Sequence, residues 1–274
     1  MKDLTPEEIQ LFIDAISEYS DYDFSEYSIK SFTRRVQKLL IDYRTDLSGL
    51  IKKISGKKEF LEEAVKNITV NTTEIFRDAK IWETINNQIL PAYRNELRIN
   101  IWHAGASTGQ EIYTMLILLK QHGLYDKSKV YASDINSDVL EISKSGKYKY
   151  REIDEYINNF NETYKNSEQK YNIKDYFKIS RSGNLIKVKP FLLDKAQYKI
   201  HDLTNITNPF AVKYNIIFCR NVLIYFNHEL QNRIIKLFEK SLFTGGALII
   251  GKHEGILGNI AEKFQKHGTI YIKK

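Results

Sequence analysis

Apolar residues recur along this chain at two different periods, and the period changes once. Between residues 5 and 70 they return every three or four positions: Ile29, Phe32, Val36, Leu39 and Leu40 line one side of a helix, and the stretches 7–17 and 57–68 repeat the pattern. A small all-α domain over residues 1–70 is therefore expected. From about residue 98, short β-rich runs separated by helical stretches take over: RINIWH, KVYASD, YKIHD, YNIIFCR and GGALIIG. Strands alternating with helices predict βαβ units around a mainly parallel sheet, so residues 98–274 are expected to form an α/β domain, reached through a 71–97 linking segment. Within it, FKISRSGNLIKVK at about 177–189 sets two strand-like runs around Ser182-Gly183-Asn184, which predicts an inserted β-hairpin. The final FQKHGTIYIKK supplies two closing strands, the last of them antiparallel. The four prolines are scattered and no repeat is visible, so hydrophobic period sets these boundaries.

Composition narrows the classes. With 42% hydrophobic and 27% charged residues the chain is too apolar for a disordered protein. No apolar run approaches the ~18–20 residues of a membrane-spanning helix. The start, MKDLTPEEIQLF, lacks the basic and apolar regions of a signal peptide, so a cytoplasmic location is expected. Cys219 is the single cysteine, which excludes an internal disulfide and a cysteine-based zinc cluster; no metal site is expected. A formal charge of +7 points to an acidic partner, whether nucleic acid, anionic membrane or acidic protein, and does not by itself choose among them.

Three strand ends carry candidate chemistry. Ile99-Asn100-Ile101-Trp102 runs through His103-Ala104-Gly105-Ala106-Ser107-Thr108-Gly109 into a helical stretch. Small residues at that junction let a ligand approach the backbone, and the helix start behind them offers free N–H groups. The dinucleotide pattern G-x-G-x-x-G is absent. One strand later Asp134 ends KVYASD, where a carboxylate can accept hydrogen bonds from both hydroxyls of a ribose. The bland alternative makes Asp134 a helix cap. The third strand end is Phe218-Cys219-Arg220-Asn221-Val222-Leu223-Ile224-Tyr225-Phe226, which would bring Arg220, Asn221 and Tyr225 to the same crevice; otherwise Arg220 is a solvated cation and Tyr225 a core aromatic.

Taken in order and spacing, VNTTEIFRD, WHAGASTGQEIYT, YASDIN and IIFCRNVLIYFN resemble the landmarks of the CheR-type chemoreceptor glutamate methyltransferases, over nearly the whole chain. The helical N-terminal part, with the Arg-Arg pair of SFTRRVQKLL, is similar as well. The resemblance implies a Rossmann-like methyltransferase sheet with a small inserted β-subdomain, preceded by a receptor-facing helical domain, and S-adenosylmethionine as cofactor. It assigns cofactor contacts to Asn71 and Thr73 of an N-x-T-x-F-x-R-like stretch with Arg77 as its arginine, to Gly105, to Glu111, to Asp134 as the ribose acid, to Asp202-Leu203 and to Arg220-Asn221. Arg77 and Tyr225 correspond to the residues that act on the substrate carboxylate. Three positions depart from the family pattern: Gln110 where a glutamate is usual, Asp202 for asparagine, and GKHEG for G-H-S-E.

Methyl transfer from a sulfonium to a carboxylate, with a reference pKa of ~4.3, needs orientation rather than a general base. Arg77 suits the carboxylate because a guanidinium pairs with both oxygens. Lys30, Arg34 and Lys38 fall at successive i+4 positions with Arg35 beside them, a cationic stripe that a receptor's glutamate-rich cytoplasmic helices would match, although a solvated helix face is the commoner origin of such a run. A monomer is expected, without direct membrane insertion. Two competing functions remain: a nucleic-acid methyltransferase and a non-catalytic receptor adaptor. Against the first, Cys-Arg-Asn-Val stands where amino-methylating enzymes place a Pro-Pro-Tyr type of loop.

Overall fold

In the computed structural model the described residues, 4–69 and 72–274, divide into two compact units. One comprises Met1–Val70 with Val222–Ile234; the other comprises Asn71–Asn221 with Ile235–Lys274.

The first unit is helical: α1 (Pro6–Tyr19), α2 (Ile29–Asp42), α3 (Leu47–Gly56) and α4 (Lys58–Ile68). Thr5 and Glu8 form a reciprocal capping box at the start of α1, with Pro6 in the first turn. Asp46 caps α3 by accepting the Gly49 N–H at 2.8 Å. The periodic residues point inward as expected: Ile9, Phe12 and Ile16 meet Phe32, Val36, Leu39, Leu50 and Leu61 in one buried cluster. Val222–Ile234, which hydrophobic period groups with the sheet region, belongs here instead. Its Tyr225 carbonyl accepts the Ser28 N–H at 2.8 Å, Glu26 accepts the Asn227 N–H at 2.8 Å, and Phe226 packs edge-on against Tyr27 at 5.0 Å. These bonds join residues some two hundred positions apart, which no local pattern encodes.

The second unit holds, in order, α5 (Ala79–Thr84), β1 (Ile99–Ala104), α6 (Gln110–Gln121), β2 (Ser128–Asp134), α7 (Ser137–Ser145), β3 (Lys147–Lys149), α8 (Ile153–Thr163), β4 (Phe177–Ser180), β5 (Leu185–Val188), β6 (Ala196–Ile200) and β7 (Tyr214–Cys219). After α9 (His228–Ser241), which begins in the first unit, come β8 (Leu242–Ile250), β9 (Phe264–His267) and β10 (Ile270–Lys273). A seven-stranded sheet runs in the order β6-β2-β1-β7-β8-β10-β9, parallel from β6 to β8 and antiparallel on both sides of β10. The C-terminal hairpin thus inserts its second strand beside β8, which sets this sheet apart from the dinucleotide-binding order.

Parallel strands covered on both faces must be apolar throughout, and β7, YNIIFC, is buried at every position. The 71–97 segment is more than a linker. Ile75, Phe76, Trp82, Ile85, Leu90 and Tyr93 are all buried in the core of this unit. The predicted hairpin forms from β4 and β5 and gains β3 as a third strand, in the order β3-β5-β4. β3, a three-residue Lys-Tyr-Lys run, is too short to show a strand period. Across this small sheet Lys147, Lys187 and Lys178 stand in register, while Tyr148, Ile186 and Val188 are buried.

Candidate active site

The first strand end is a loop bent by residues in the left-handed region. Gly105, Ser107 and Gly109 have φ of 78°, 50° and 87°. Gly109 has a second reason to lack a side chain, since a Cβ there would lie 2.7 Å from the Cβ of Ser143. The loop is pinned from β2: Ser133 O accepts the N–H groups of Gly105 and Ala106, each at 2.9 Å.

Asp134 closes the loop. Its Oδ2 accepts the Ser107 N–H at 2.8 Å and its Oδ1 the Asn136 N–H at 3.0 Å, while Asn136, not Asp134, caps α7. Burial pushes the Asp134 carboxyl above its usual pKa, against the backbone N–H groups of Asn136, Ser107 and Ile135 that favour the anion. Each oxygen keeps lone-pair capacity for further donors. An acceptor-only side chain at the glycine loop, able to take two hydroxyl donors, fits the ribose of an adenosyl cofactor.

The second feature is a buried charge cluster. Glu111, on the first turn of α6, is gripped at both oxygens: His103 Nδ1 lies 2.8 Å from Oε1, and Arg220 donates to Oε2 at 3.1 Å. Arg220 also donates to Asp78 Oδ2 at 2.7 Å and to the Arg77 carbonyl at 2.9 Å, and its guanidinium carbon lies 5.6 Å from the centre of the Trp82 ring. Burial alone would raise the Glu111 pKa; the His103 bond and the Arg220 charge outweigh it, so the carboxyl sits below its usual value. An anchored carboxylate of this kind fits the ammonium of the cofactor's amino-acid end. Arg220 is buried within these pairs rather than solvated.

Arg77 shows the converse arrangement. Its carbonyl is held by Arg220 and by Trp82 Nε1, the latter at 2.9 Å, and one guanidinium N–H donates to Thr72 O at 3.0 Å, yet the side chain stays half-exposed. Phe76 and Asp78 on either side adopt φ of 54° and 60°, and the Phe76 N–H donates to Thr114 of α6 at 2.9 Å. Thr73 is half-buried in the same stretch, and Asn71 lies outside the described residues. At the end of β6, Asp202 caps a 3₁₀ turn by accepting the Thr204 N–H at 2.9 Å, and Leu203 is buried. Asn221, with φ of 59°, donates its N–H to Glu254 Oε2 at 2.9 Å. Gly105, Glu111, Asp134, Arg77, Arg220, Asn221, Asp202 and Leu203 thus belong to one unit, while Tyr225 lies half-buried in a 3₁₀ turn of the other.

Two of the departures gain a physical reason. Gln110 accepts from Thr108 Oγ1 at 2.7 Å and donates to Tyr156 Oη at 3.1 Å, while Tyr156 donates to Glu152 at 2.6 Å. A carboxylate at 110 has no proton for Tyr156 and would face Glu152 across it. In GKHEG, Glu254 is three residues beyond Gly251, the spacing of the glutamate in G-H-S-E, and it ties β8 to the β7 loop.

The description "CheR methyltransferase, SAM binding domain" matches residues 71–272. The chain belongs to the CheR methyltransferase family. Among its relatives, methyltransferase Cher3 of Pseudomonas putida is 33% identical over 250 residues, covering 91% of this chain and 89% of the relative. A chemotaxis protein methyltransferase of Borreliella burgdorferi is 31% identical over 252 residues, covering 81% and 82%, and one of Listeria monocytogenes is 26% identical over 238 residues, covering 86% and 85%. The domain matched is the S-adenosylmethionine-binding one, so S-adenosylmethionine is the cofactor of this CheR fold. His103, Asp78, Trp82 and Glu254 are additions from the structure. The one sequence signal for His103 was a polar residue interrupting the apolar run of a central strand.

Proposed function

We propose that the protein methylates glutamate side chains on the cytoplasmic helices of chemoreceptors, giving glutamyl methyl esters and S-adenosylhomocysteine. The observation that carries this reading is Arg77: a half-exposed guanidinium on a backbone anchored by Arg220 and Trp82. A fixed cation with free N–H capacity is the group a substrate carboxylate needs.

When bound, S-adenosylmethionine supplies a methyl group already activated by its sulfonium. The residues around it bind and orient. Asp134 takes the ribose hydroxyls, Glu111 the ammonium, and Asn71, Thr73, Gly105, Asp202-Leu203 and Asn221 complete the cofactor contacts. Arg220 holds Glu111 and Asp78 in place. Arg77 aligns the glutamate carboxylate, which is an anion at neutral pH, so no side chain has to remove a proton. The family resemblance assigns Tyr225 to hydrogen bonding with the substrate.

On the receptor side, Lys30 and Arg34 are exposed on α2, opposite the buried Phe32, Val36 and Leu39; Arg35 is half-buried, and exposed Lys38 pairs with Asp42 at 2.6 Å. This stripe meets the glutamate-rich receptor helices, chiefly steering encounter and orientation. The same reading makes the protein a cytoplasmic monomer acting on the receptor's cytoplasmic helices; separately, among the described residues no helix is long and apolar enough to cross a membrane.

Cys219 argues against a cytosine-directed enzyme. It is fully buried, and burial, with Glu254 and Glu111 nearby, pushes its thiol pKa well up. The test of the assigned roles is a split between binding and turnover: Arg77→Ala and Tyr225→Phe should transfer methyl groups more slowly while still binding S-adenosylhomocysteine. Loss of cofactor affinity alone would contradict them.

A further inference from the structure

His103 occupies a place where an aliphatic residue would be expected. It lies on β1, between β2 and β7, on the face shared with Ile99 and Ile101, and it is fully buried. Burying an imidazole costs free energy unless its polar atoms are paired. The ring stacks on Phe218 with centroids 4.6 Å apart and planes 5° apart; Phe218 stacks on Trp82 at 5.4 Å; Arg220 covers Trp82. The two ends of this column, His103 and Arg220, hold opposite oxygens of the same acid, Glu111. Nε2 of His103 has no partner among the described residues. Nδ1 faces a carboxylate oxygen 2.8 Å away, and a carboxylate can only accept, so a proton sits on Nδ1 and donates to Oε1 of Glu111.

We propose that His103 is a positioning residue for cofactor binding. Its Nδ1–H fixes the Glu111 carboxylate so that the lone pairs left over by His103 and Arg220 are held ready for the cationic amino-acid end of S-adenosylmethionine. The proposal rests on the assignment of Glu111 to that end. A carboxylate offers about four lone-pair sites, so two donors leave room for the ammonium. Arg220 alone stands against two acids, Glu111 and Asp78, and the cluster therefore has a place for one more positive charge. Without His103, Glu111 would be held at one oxygen only and would have to be ordered on binding, which weakens affinity.

Calorimetry with two ligands tests this: S-adenosylhomocysteine, and methylthioadenosine, which keeps the nucleoside and thioether but lacks the amino-acid end. His103→Phe keeps the ring stack and removes the donor. His103→Asn keeps an N–H near the Nδ1 position and removes the ring. The Phe variant should bind S-adenosylhomocysteine about tenfold more weakly, the loss of one charge-assisted hydrogen bond, with methylthioadenosine unchanged. The Asn variant should bind both ligands within about threefold of the native protein and melt at lower temperature. Glu111→Ala should weaken S-adenosylhomocysteine selectively. Native affinity in the Phe variant beside a loss in Glu111→Ala would overturn the proposal, as would equal weakening of both ligands, which marks a packing role. An Asn variant that folds but selectively loses S-adenosylhomocysteine also overturns it. Unchanged affinity in Glu111→Ala removes the Glu111 assignment and this proposal with it, while leaving carboxyl methylation to its own test.

Discussion

The carboxylate of Glu254 grips the backbone of Asn221: its Oε2 accepts the Asn221 N–H at 2.9 Å and the N–H of Gly251 as well. One side chain after β8 therefore sets the path of the loop after β7, where Asn221 adopts a left-handed φ of 59°. Glu254→Ala leaves two backbone donors without this acceptor, at about 1–3 kcal/mol each. Its stability in urea should fall accordingly and S-adenosylhomocysteine affinity should drop with it, whereas Glu254→Gln, which keeps an acceptor oxygen, should lose less. Gly251→Ala should imitate Glu254→Ala, because its Cβ would lie 2.7 Å from Glu254 Oε2 and 2.8 Å from Asn221 N. Equal stability of all three variants and the native protein would show that the clamp has no energetic role.

Acid should expose the Glu111 cluster. The folded-state pKa of Glu111 is lowered from 4.5, so the stability this carboxylate contributes is fully present above that value and is lost as pH falls through the lower folded value. Glu111→Gln should be less stable than the native protein near neutrality, by the ~3–5 kcal/mol typical of a broken buried pair, and the gap should close as the pH drops below about 4.5. A gap that stays constant down to pH 3 would contradict the lowered pKa.

The stripe on α2 makes a prediction about the substrate rather than the cofactor. Reversing Lys30, Arg34 and Lys38 to Glu should slow receptor methylation and leave S-adenosylhomocysteine binding intact. Raising the ionic strength should slow the native enzyme in the same way, since exposed charges are screened within about 8–10 Å at physiological salt. Equal activity of the triple variant at low salt would identify these residues as a solvated face.

The small sheet bears on how a receptor is held. Its β4–β5 turn is short, Arg181–Asn184, and Gly183 is the single glycine in it. An edge strand that captured a peptide would do so through main-chain hydrogen bonds and side-chain pockets. With so short a turn, receptor lacking its C-terminal tail should be methylated about as well as intact receptor. Specific binding of a tail peptide, lost when residues 177–189 are replaced, would contradict this.

Much of the fold was legible because it is local. The helical period placed the α2 face, the alternation of strands and helices placed the parallel sheet, and Asp134 sat at a strand end where doubly wound sheets bind ligands. What escaped depends on partners far apart in the chain. Arg220 and Glu111 are 109 residues apart, and the pairing that turns a loop cation into a buried clamp has no sequence period. The Tyr27–Phe226 contact, which draws Val222–Ile234 into the helical unit, is hidden for the same reason. β3 has too few residues to alternate, and His103 shows its purpose only when Glu111 and Phe218 are beside it.

Whether the methyl group goes to receptor glutamates is decided by the fate of a labelled methyl group. The protein should be incubated with methyl-labelled S-adenosylmethionine, receptor-rich membranes and nucleic acid together, and the products separated. Label should appear on receptor glutamates as carboxyl methyl esters, released as methanol by mild base and absent from the Arg77→Ala reaction. Base-stable label, or label recovered in the nucleic acid, would contradict it.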